Sequence, residues 1–144
     1  MKAVLDTNVL ISATLIRDGK EDRILRAWQR GGFELVLSPQ ILEEMGRALL
    51  YEKLQKYRWM KEKEVVALIE LLAQESLLVA GNVSVKASRD PDDDKFLAAA
   101  IEANAEFVVT GDKDLLGLKS YGNVRIIAPA SFQKILQKTE KWMK

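Results

Sequence analysis

The chain has 144 residues, of which 48% are apolar and 30% are charged, and this size and balance are typical of one folded domain. Its formal net charge of +1 gives no global field that favours nucleic acid or a membrane, so any basic surface must be local. The absence of cysteine and histidine excludes disulfides, thiolate chemistry, imidazole bases and histidine-containing zinc sites.

An enzyme of this composition would therefore depend on carboxylates, Lys, Arg, Tyr, hydroxyl groups or a bound hard metal ion. The N-terminal stretch MKAVLDTNVLISATLI carries Asp6 inside its apolar run and has no cleavage-type tail. We therefore expect neither a signal peptide nor a membrane span, and a cytoplasmic location.

Short β-rich runs alternate with longer helical patterns along the whole chain, without an internal repeat or a linker. The predicted strands are 3–6, 34–37, 77–79, 107–110 and 124–127, and the predicted helices lie near 9–16, 20–30, 39–50, 61–75, 93–103 and 130–140. The third strand is ambiguous, because LLAQESLLVAG also suits an extension of the preceding helix. The alternation predicts a single α/β domain over residues 1–144 with a mostly parallel sheet.

The first acidic residue of interest closes the first predicted strand. Asp6 follows the strand in VLDTNVL, and Thr7 and Asn8 can supply hydrogen bonds around it. Ligands of open α/β sheets bind beyond the carboxyl ends of the strands, which is where Asp6 is expected. The alternative is that Asp6 or Asn8 only caps the following helix.

The two neighbouring glutamates of SPQILEEMGRAL differ in helical phase. At about 100° per residue, the apolar residues form one stripe, with Glu44 at its edge and Glu43 on the solvent side. An acid at the edge of a buried stripe needs a partner, which makes Glu44 the candidate site residue. Alternatively, Glu44 extends to solvent or pairs with Arg47.

The stretch SRDPDDDKFL places four carboxylates among the five residues from Asp90 to Asp94. Asp93 lies almost on the axis of the apolar stripe of the helix that follows, with Asp92 and Asp94 about 100° to either side. Helix capping accounts for Asp90, but favourable dipole interactions at the helix start do not account for Asp93.

The last acidic group follows the fourth predicted strand, in TGDKDLL. Asp112 comes after the strand and Gly111, and Thr110 and Lys113 offer a hydroxyl group and a cation nearby. Asp114 can begin a short helix that runs through Leu116. Clustered carboxylates without His or Cys are typical ligands of Mg²⁺ or Mn²⁺. Such ions support phosphodiester hydrolysis by activating water and stabilising the leaving oxygen.

The successive motifs DTNVLISA, SPQILEEMGRAL and DPDDDKFLAAAIEANAEFVVTGDKDLL, which span residues 3–116, resemble those of a PIN domain. More narrowly, they are similar to the VapC-like toxin nucleases of prokaryotic toxin–antitoxin systems. The resemblance implies a three-layer α/β fold with a mostly parallel five-stranded sheet flanked by helices.

For function, the resemblance implies a metal-dependent endoribonuclease that uses metal-activated water, with RNA, a cognate antitoxin and a second copy of the chain as partners. The family's catalytic and metal-binding acids would correspond to Asp6, Glu44, Asp93 and Asp112. Asn8 and Thr110 match polar positions near the family's metal site, and Asp114 is a further supporting residue. Whether Glu44 is a ligand or positions water stays open.

Residues 47–63 interleave basic and aromatic side chains, which suits phosphate contacts and base stacking. The candidate RNA contacts are Arg47, Lys53, Lys56 and Arg58. The alternative is an amphipathic helical hairpin whose apolar residues belong to the core or a dimer interface. A basic tail near the C-terminus is interpreted as a solvated helix face. The alternative is a surface that contacts an antitoxin or a second copy of the chain. The tail consists of Lys134, Lys138, Lys141 and Lys144.

Other acid-bearing α/β classes fit less well. A phosphatase of the haloacid dehalogenase type needs a second Asp where this chain has Asn8, and a receiver domain needs paired acids at the first strand end. A dinucleotide-binding domain needs a glycine-rich first turn. The remaining alternative is a catalytically weak PIN-like module that binds RNA or protein.

Overall fold

A computed structural model of the chain describes residues 1–51 and 61–143. One sheet contains β1 (Lys2–Leu5), β2 (Glu34–Leu37), β3 (Leu77–Leu78), β4 (Phe107–Val109), β5 (Ser120–Tyr121) and β6 (Val124–Ile127). The helices are α1 (Thr7–Leu15), α2 (Lys20–Gln29), α3 (Pro39–Leu49), α4 (Glu62–Glu75), α5 (Asp94–Ala103), α6 (Lys113–Leu118) and α7 (Pro129–Met143). A 3₁₀ turn, Pro91–Asp93, leads directly into α5.

The strands follow the order β3-β2-β1-β4-β6-β5 across the sheet. Within the described residues every pairing is parallel except that of β5 with β6. The predicted α/β class and mostly parallel sheet are therefore confirmed. The ambiguous third strand forms, because Leu77 and Leu78 pair with Val36 and Leu37 of β2.

The predicted strand number of five was wrong for this part of the chain, because β5 adds a sixth strand. It consists of two residues that fold back on β6 through a turn in which Gly122 has a φ of +58°. A pair of residues is too short to show an alternating or continuous apolar pattern, so this strand had no signal of its own.

The centre of the sheet is buried on both faces. Residues 3–5, 35–37 and 107–109 are all buried, which is why these strands are continuous apolar runs. Helix α5 packs on β1, β2 and β4, while α7 packs against α2. Phe132 of α7 contacts Phe33 edge to face, with ring centroids 5.0 Å apart. This core holds the carboxyl ends of β1 and β4 next to each other.

Helix starts follow the local capping residues. Ser38 accepts a hydrogen bond from the Ile41 amide at 3.2 Å, and Pro39 is the first residue of α3, as predicted. Helix α1 begins at Thr7, two residues before the predicted start, because the Asp6 carboxylate caps it. None of the helices in the described residues is both long and apolar enough to cross a membrane.

Two carboxylates of α5 hold the irregular segment that precedes it. Glu102 accepts hydrogen bonds from the backbone amides of residues 80, 81 and 82. Asp94 accepts from the amides of Ala87 and Ser88, at 3.1 and 2.7 Å, and from the Ser88 hydroxyl. The segment between β3 and the 3₁₀ turn is thereby fixed against α5, and so is the position of Asp93.

Candidate acidic active site

Asp6 is the buried acid at the carboxyl edge of the sheet. Its residue is only 5% exposed, and its Oδ2 accepts a hydrogen bond from the Thr110 hydroxyl at 2.7 Å. The backbone amide of Asn8 donates a hydrogen bond to Oδ1 of Asp6 at 3.1 Å, although Asn8 as a residue is exposed. Burial raises the pKa of Asp6, the two hydrogen bonds oppose the shift, and the charges of Glu44 and Asp112 add to it.

Thr110 also positions the next acid along the chain. The Thr110 hydroxyl oxygen accepts a hydrogen bond from the backbone amide of Asp112 at 3.0 Å. The same hydroxyl donates a hydrogen bond to Asp6. The Asp112 carboxylate caps α6 by accepting from the Asp114 amide at 2.8 Å. Asp114 itself is exposed and has Arg89 as an ion-pair partner at 4.0 Å, so its side chain points to solvent.

Asp93, which immediately precedes α5, interacts electrostatically with Asp112 and Asp6. The pKa of Asp93 is raised to about 7, first by burial and then by the charge of Asp112 and a hydrogen bond with it. The charges of Asp90 and Asp6 contribute in the same direction. Three aspartates from separate parts of the chain therefore interact electrostatically at one edge of the sheet.

The four acids of SRDPDDDKFL differ in their surroundings, and three of them have an identifiable role. Asp90 caps the 3₁₀ turn by accepting from the Asp92 amide at 3.0 Å. Asp92 is exposed, Asp93 faces the other aspartates, and Asp94 fixes residues 87 and 88. Burial acts to raise the pKa of Asp94, but the hydrogen bonds that it accepts from Ser88 and Ala87 outweigh burial and lower this pKa. The crowding of charge thus reflects separate tasks.

Glu44 reaches the site through Thr7. The Thr7 hydroxyl donates to Oε2 of Glu44, and the Lys95 ammonium lies 2.8 Å from Oε1. The Glu44 side chain is 30% exposed, whereas Glu43 is 72% exposed and pairs with Arg47 at 4.0 Å. The helical phase therefore predicted which of the two glutamates is more exposed, and Arg47 is the partner of Glu43.

Two residues that shape this site, Lys95 and Asp94, were not predicted as site residues. Both stand inside the motif DPDDDKFL, beside the acid that was selected, so the motif itself was the available signal. Their partners, Glu44 and Ser88, are distant in sequence or belong to an irregular segment. Local periodicity gives no indication of such pairs.

The donor set fits a hard divalent cation. The carboxylates of Asp6, Asp93 and Asp112 supply oxygen ligands at this edge, and burial together with the charge of Asp112 raises the pKa of Asp93. Within residues 1–51 and 61–143, no three His, Cys, Asp or Glu side chains form a preformed metal cluster. Mg²⁺ does not require one, because it usually retains waters and is bound through one or two carboxylates.

The basic segment 47–63 is described only at its two ends. Arg47 and Tyr51 are exposed, while Lys53, Lys56 and Arg58 lie outside the described residues. Lys134 and Lys138 of the basic tail are exposed on α7; Lys144 and the Lys141 side chain also lie outside the described part.

The fold and the site together define a class: a parallel α/β domain with aspartates gathered at the carboxyl edge of its sheet. The family model described as a PIN domain matches residues 2–114. The chain therefore belongs to the PIN-domain family, and the predicted family is confirmed.

The chain is also similar to individual proteins in sequence or in fold. An uncharacterized protein of Methanocaldococcus jannaschii, MJ1680, is 35% identical over 119 residues, which are 83% of this chain and 76% of that protein. The fold is similar to that of a chain of VapBC2 from Rickettsia felis, whose structure was solved bound to a promoter DNA fragment. The TM-score is 0.60 and the sequence identity is 13%, and the match covers 89% of this chain and 98% of the VapBC2 chain.

The fold is also similar to that of a chain of FitAB bound to an IR36 DNA fragment, with a TM-score of 0.57 and 21% sequence identity. That match covers 88% of this chain and 94% of the FitAB chain. These two structures share the fold of this chain.

Proposed function

We propose that this protein is a Mg²⁺- or Mn²⁺-dependent endoribonuclease and the toxin of a toxin–antitoxin pair. The observation that carries the proposal is the convergence of Asp6, Asp93 and Asp112 at one edge of the sheet, where burial and then the charge of Asp112 raise the pKa of Asp93 to about 7. Membership of the PIN family supports a nuclease, and the absence of histidine is compatible with hydrolysis that needs no imidazole base.

The three aspartates would hold the cation, and Glu44 would serve beside them as a further ligand or as the residue that positions water. When bound, the ion would lower the pKa of a water molecule and offset the charge of the scissile phosphate. Thr110 keeps the Asp6 carboxylate in one orientation, and the Asp114 amide does the same for Asp112. Burial of Asp6 limits its contact with bulk water.

The fold likeness to chains of VapBC2 and FitAB supports a protein partner of the antitoxin type. By the same analogy we propose a homodimer. The alternative function is a catalytically weak PIN-fold module that binds RNA or protein. The presence of all four acids in one region favours the enzyme over this alternative.

The test is cleavage of a labelled RNA pool by purified protein with Mg²⁺ or Mn²⁺. We expect cleavage that stops with EDTA and is lost in Asp6→Asn, with Asp92→Asn as the matched control because Asp92 is exposed. Cleavage that survives both chelation and Asp6→Asn would refute the proposal. Tight RNA binding without cleavage would favour the binding module.

A further inference from the structure

Lys95 is a partly buried cation that touches the acidic site. Its side chain is 18% exposed, and its ammonium lies 2.8 Å from Glu44 Oε1 and 5.4 Å from the centre of the Phe96 ring. Removing an ammonium group and a carboxylate from water costs free energy, which good geometry and additional hydrogen bonds must offset. Thr7 supplies such a bond to Oε2. Both oxygens of Glu44 therefore have partners within the protein.

The pair formed by Lys95 and Glu44 lies within electrostatic reach of the aspartates. Thr7, which donates to Glu44, directly follows Asp6 in the chain, and the charge of Glu44 contributes to the raised pKa of Asp6. With Lys95 present, the pair adds almost no net charge to this edge of the sheet. Without Lys95, Glu44 would add a full negative charge beside Asp6.

We propose that Lys95 is a positioning residue that holds Glu44 beside the cation site but outside the coordination shell, so that Asp6, Asp93 and Asp112 bind the ion. The proposal rests on the proposed function for its use of a divalent cation, but it does not depend on RNA being the substrate. It resolves the open role of Glu44 in favour of an outer position.

The test is a double-mutant cycle in which Mn²⁺ affinity is measured by calorimetric titration without RNA. The variants are Lys95→Met, Glu44→Gln, the double variant, and Lys95→Arg as the control that keeps the charge. Lys95→Met should bind Mn²⁺ more tightly and Glu44→Gln more weakly, each by on the order of tenfold, because each leaves one charge unpaired near the ion. The double variant and Lys95→Arg should resemble the parent.

The double variant decides between the two roles of Glu44. If Glu44 were a ligand, the double variant would bind Mn²⁺ clearly more weakly than the parent, because a ligand would be missing although no charge is left unpaired, and the proposal would be overturned. Unchanged affinity in Lys95→Met would also overturn it, since Lys95 would then have only a structural role. If Lys95→Met does not fold, the comparison of the double variant with the parent still decides, because neither protein has an unpaired charge at this pair.

The outcome is separable from that of the proposed function. Parent protein that binds Mn²⁺ but does not cut RNA contradicts the ribonuclease proposal and leaves the Lys95 cycle interpretable. Parent protein that cuts RNA, with a double variant that binds Mn²⁺ clearly more weakly than the parent, contradicts only the role of Lys95. Parent protein that binds no Mn²⁺ overturns both.

Discussion

The Thr110 hydroxyl donates a hydrogen bond of 2.7 Å to the Asp6 carboxylate, although the two residues are 104 positions apart in the sequence. The bond joins the carboxyl ends of β1 and β4, which are neighbours in the sheet. Both residues are buried, which limits the access of solvent to either group. The sheet therefore places a hydrogen-bonded acid at the point where parallel α/β folds bind ligands.

Thr110→Val should destabilise the metal-free protein at neutral pH by about 1.5–3 kcal/mol, because a buried charged acceptor loses its donor while the side-chain volume is kept. The measurement is denaturant unfolding in EDTA. Thr14→Val is the matched control, since the Thr14 hydroxyl bonds only to the Ile11 carbonyl of its own helix, at 2.7 Å, among the bonds described for it. Equal losses in the two variants would contradict a special role for the bond to Asp6.

The two glutamates of α3 should differ sharply in their effect on activity. Glu44→Gln should lower the rate of RNA cleavage by about two orders of magnitude or more, because it alters a group beside the reacting centre. Glu43→Gln should leave the rate nearly unchanged, since Glu43 is exposed and pairs only with Arg47 among the contacts described for it. Single-turnover cleavage at saturating Mn²⁺ measures both rates. The reverse ranking would refute the assignment.

Asp93→Asn should melt no lower than the parent in EDTA at about pH 8, because it removes a charge that neighbouring carboxylates oppose. The pKa of Asp93 is raised from 3.8 to about 7, so the folded parent binds more protons than the unfolded chain between these values. The parent should therefore gain stability as the pH falls towards 4 and lose it as the pH rises through 7. Asp93→Asn should lose the part of this dependence that Asp93 contributes.

Thermal unfolding in EDTA and in Mn²⁺ at about pH 8 and pH 5 measures these differences. Asp93→Asn should also lose most of the stabilisation by Mn²⁺, because a ligand stabilises in proportion to its affinity for the folded state. The exposed Asp92 provides the control: Asp92→Asn should keep the metal effect. Unfolding of Asp93→Asn several degrees earlier in EDTA would show that its carboxylate is a structural cap.

The basic segment 47–63 stays a predicted RNA-binding surface. In Lys56→Ala/Arg58→Ala, the slope of log affinity against log salt should become shallower by about one unit for each lysine or arginine that no longer neutralises a phosphate. The binding measurement uses the Asp6→Asn background, in which RNA is expected to remain uncut. Identical slopes in the two proteins would assign the segment to packing instead.

The sequence by itself determined the α/β class, five of the six strands and the acids at the strand ends. These are local properties: apolar runs, the residue that terminates each run, and helical phase, which separated Glu44 from Glu43. The capping role of Asp90 could also be predicted, because its carboxylate accepts a hydrogen bond from the backbone amide of Asp92, only two residues further on.

Only the tertiary structure decided what each acid contacts. Thr110 meets Asp6, and Lys95 meets Glu44, because parallel strands and packed helices bring distant segments together. The two-residue strand β5 likewise exists only because β6 offers an edge for pairing. Such contacts depend on long-range geometry, and no periodicity within a short stretch of chain encodes them.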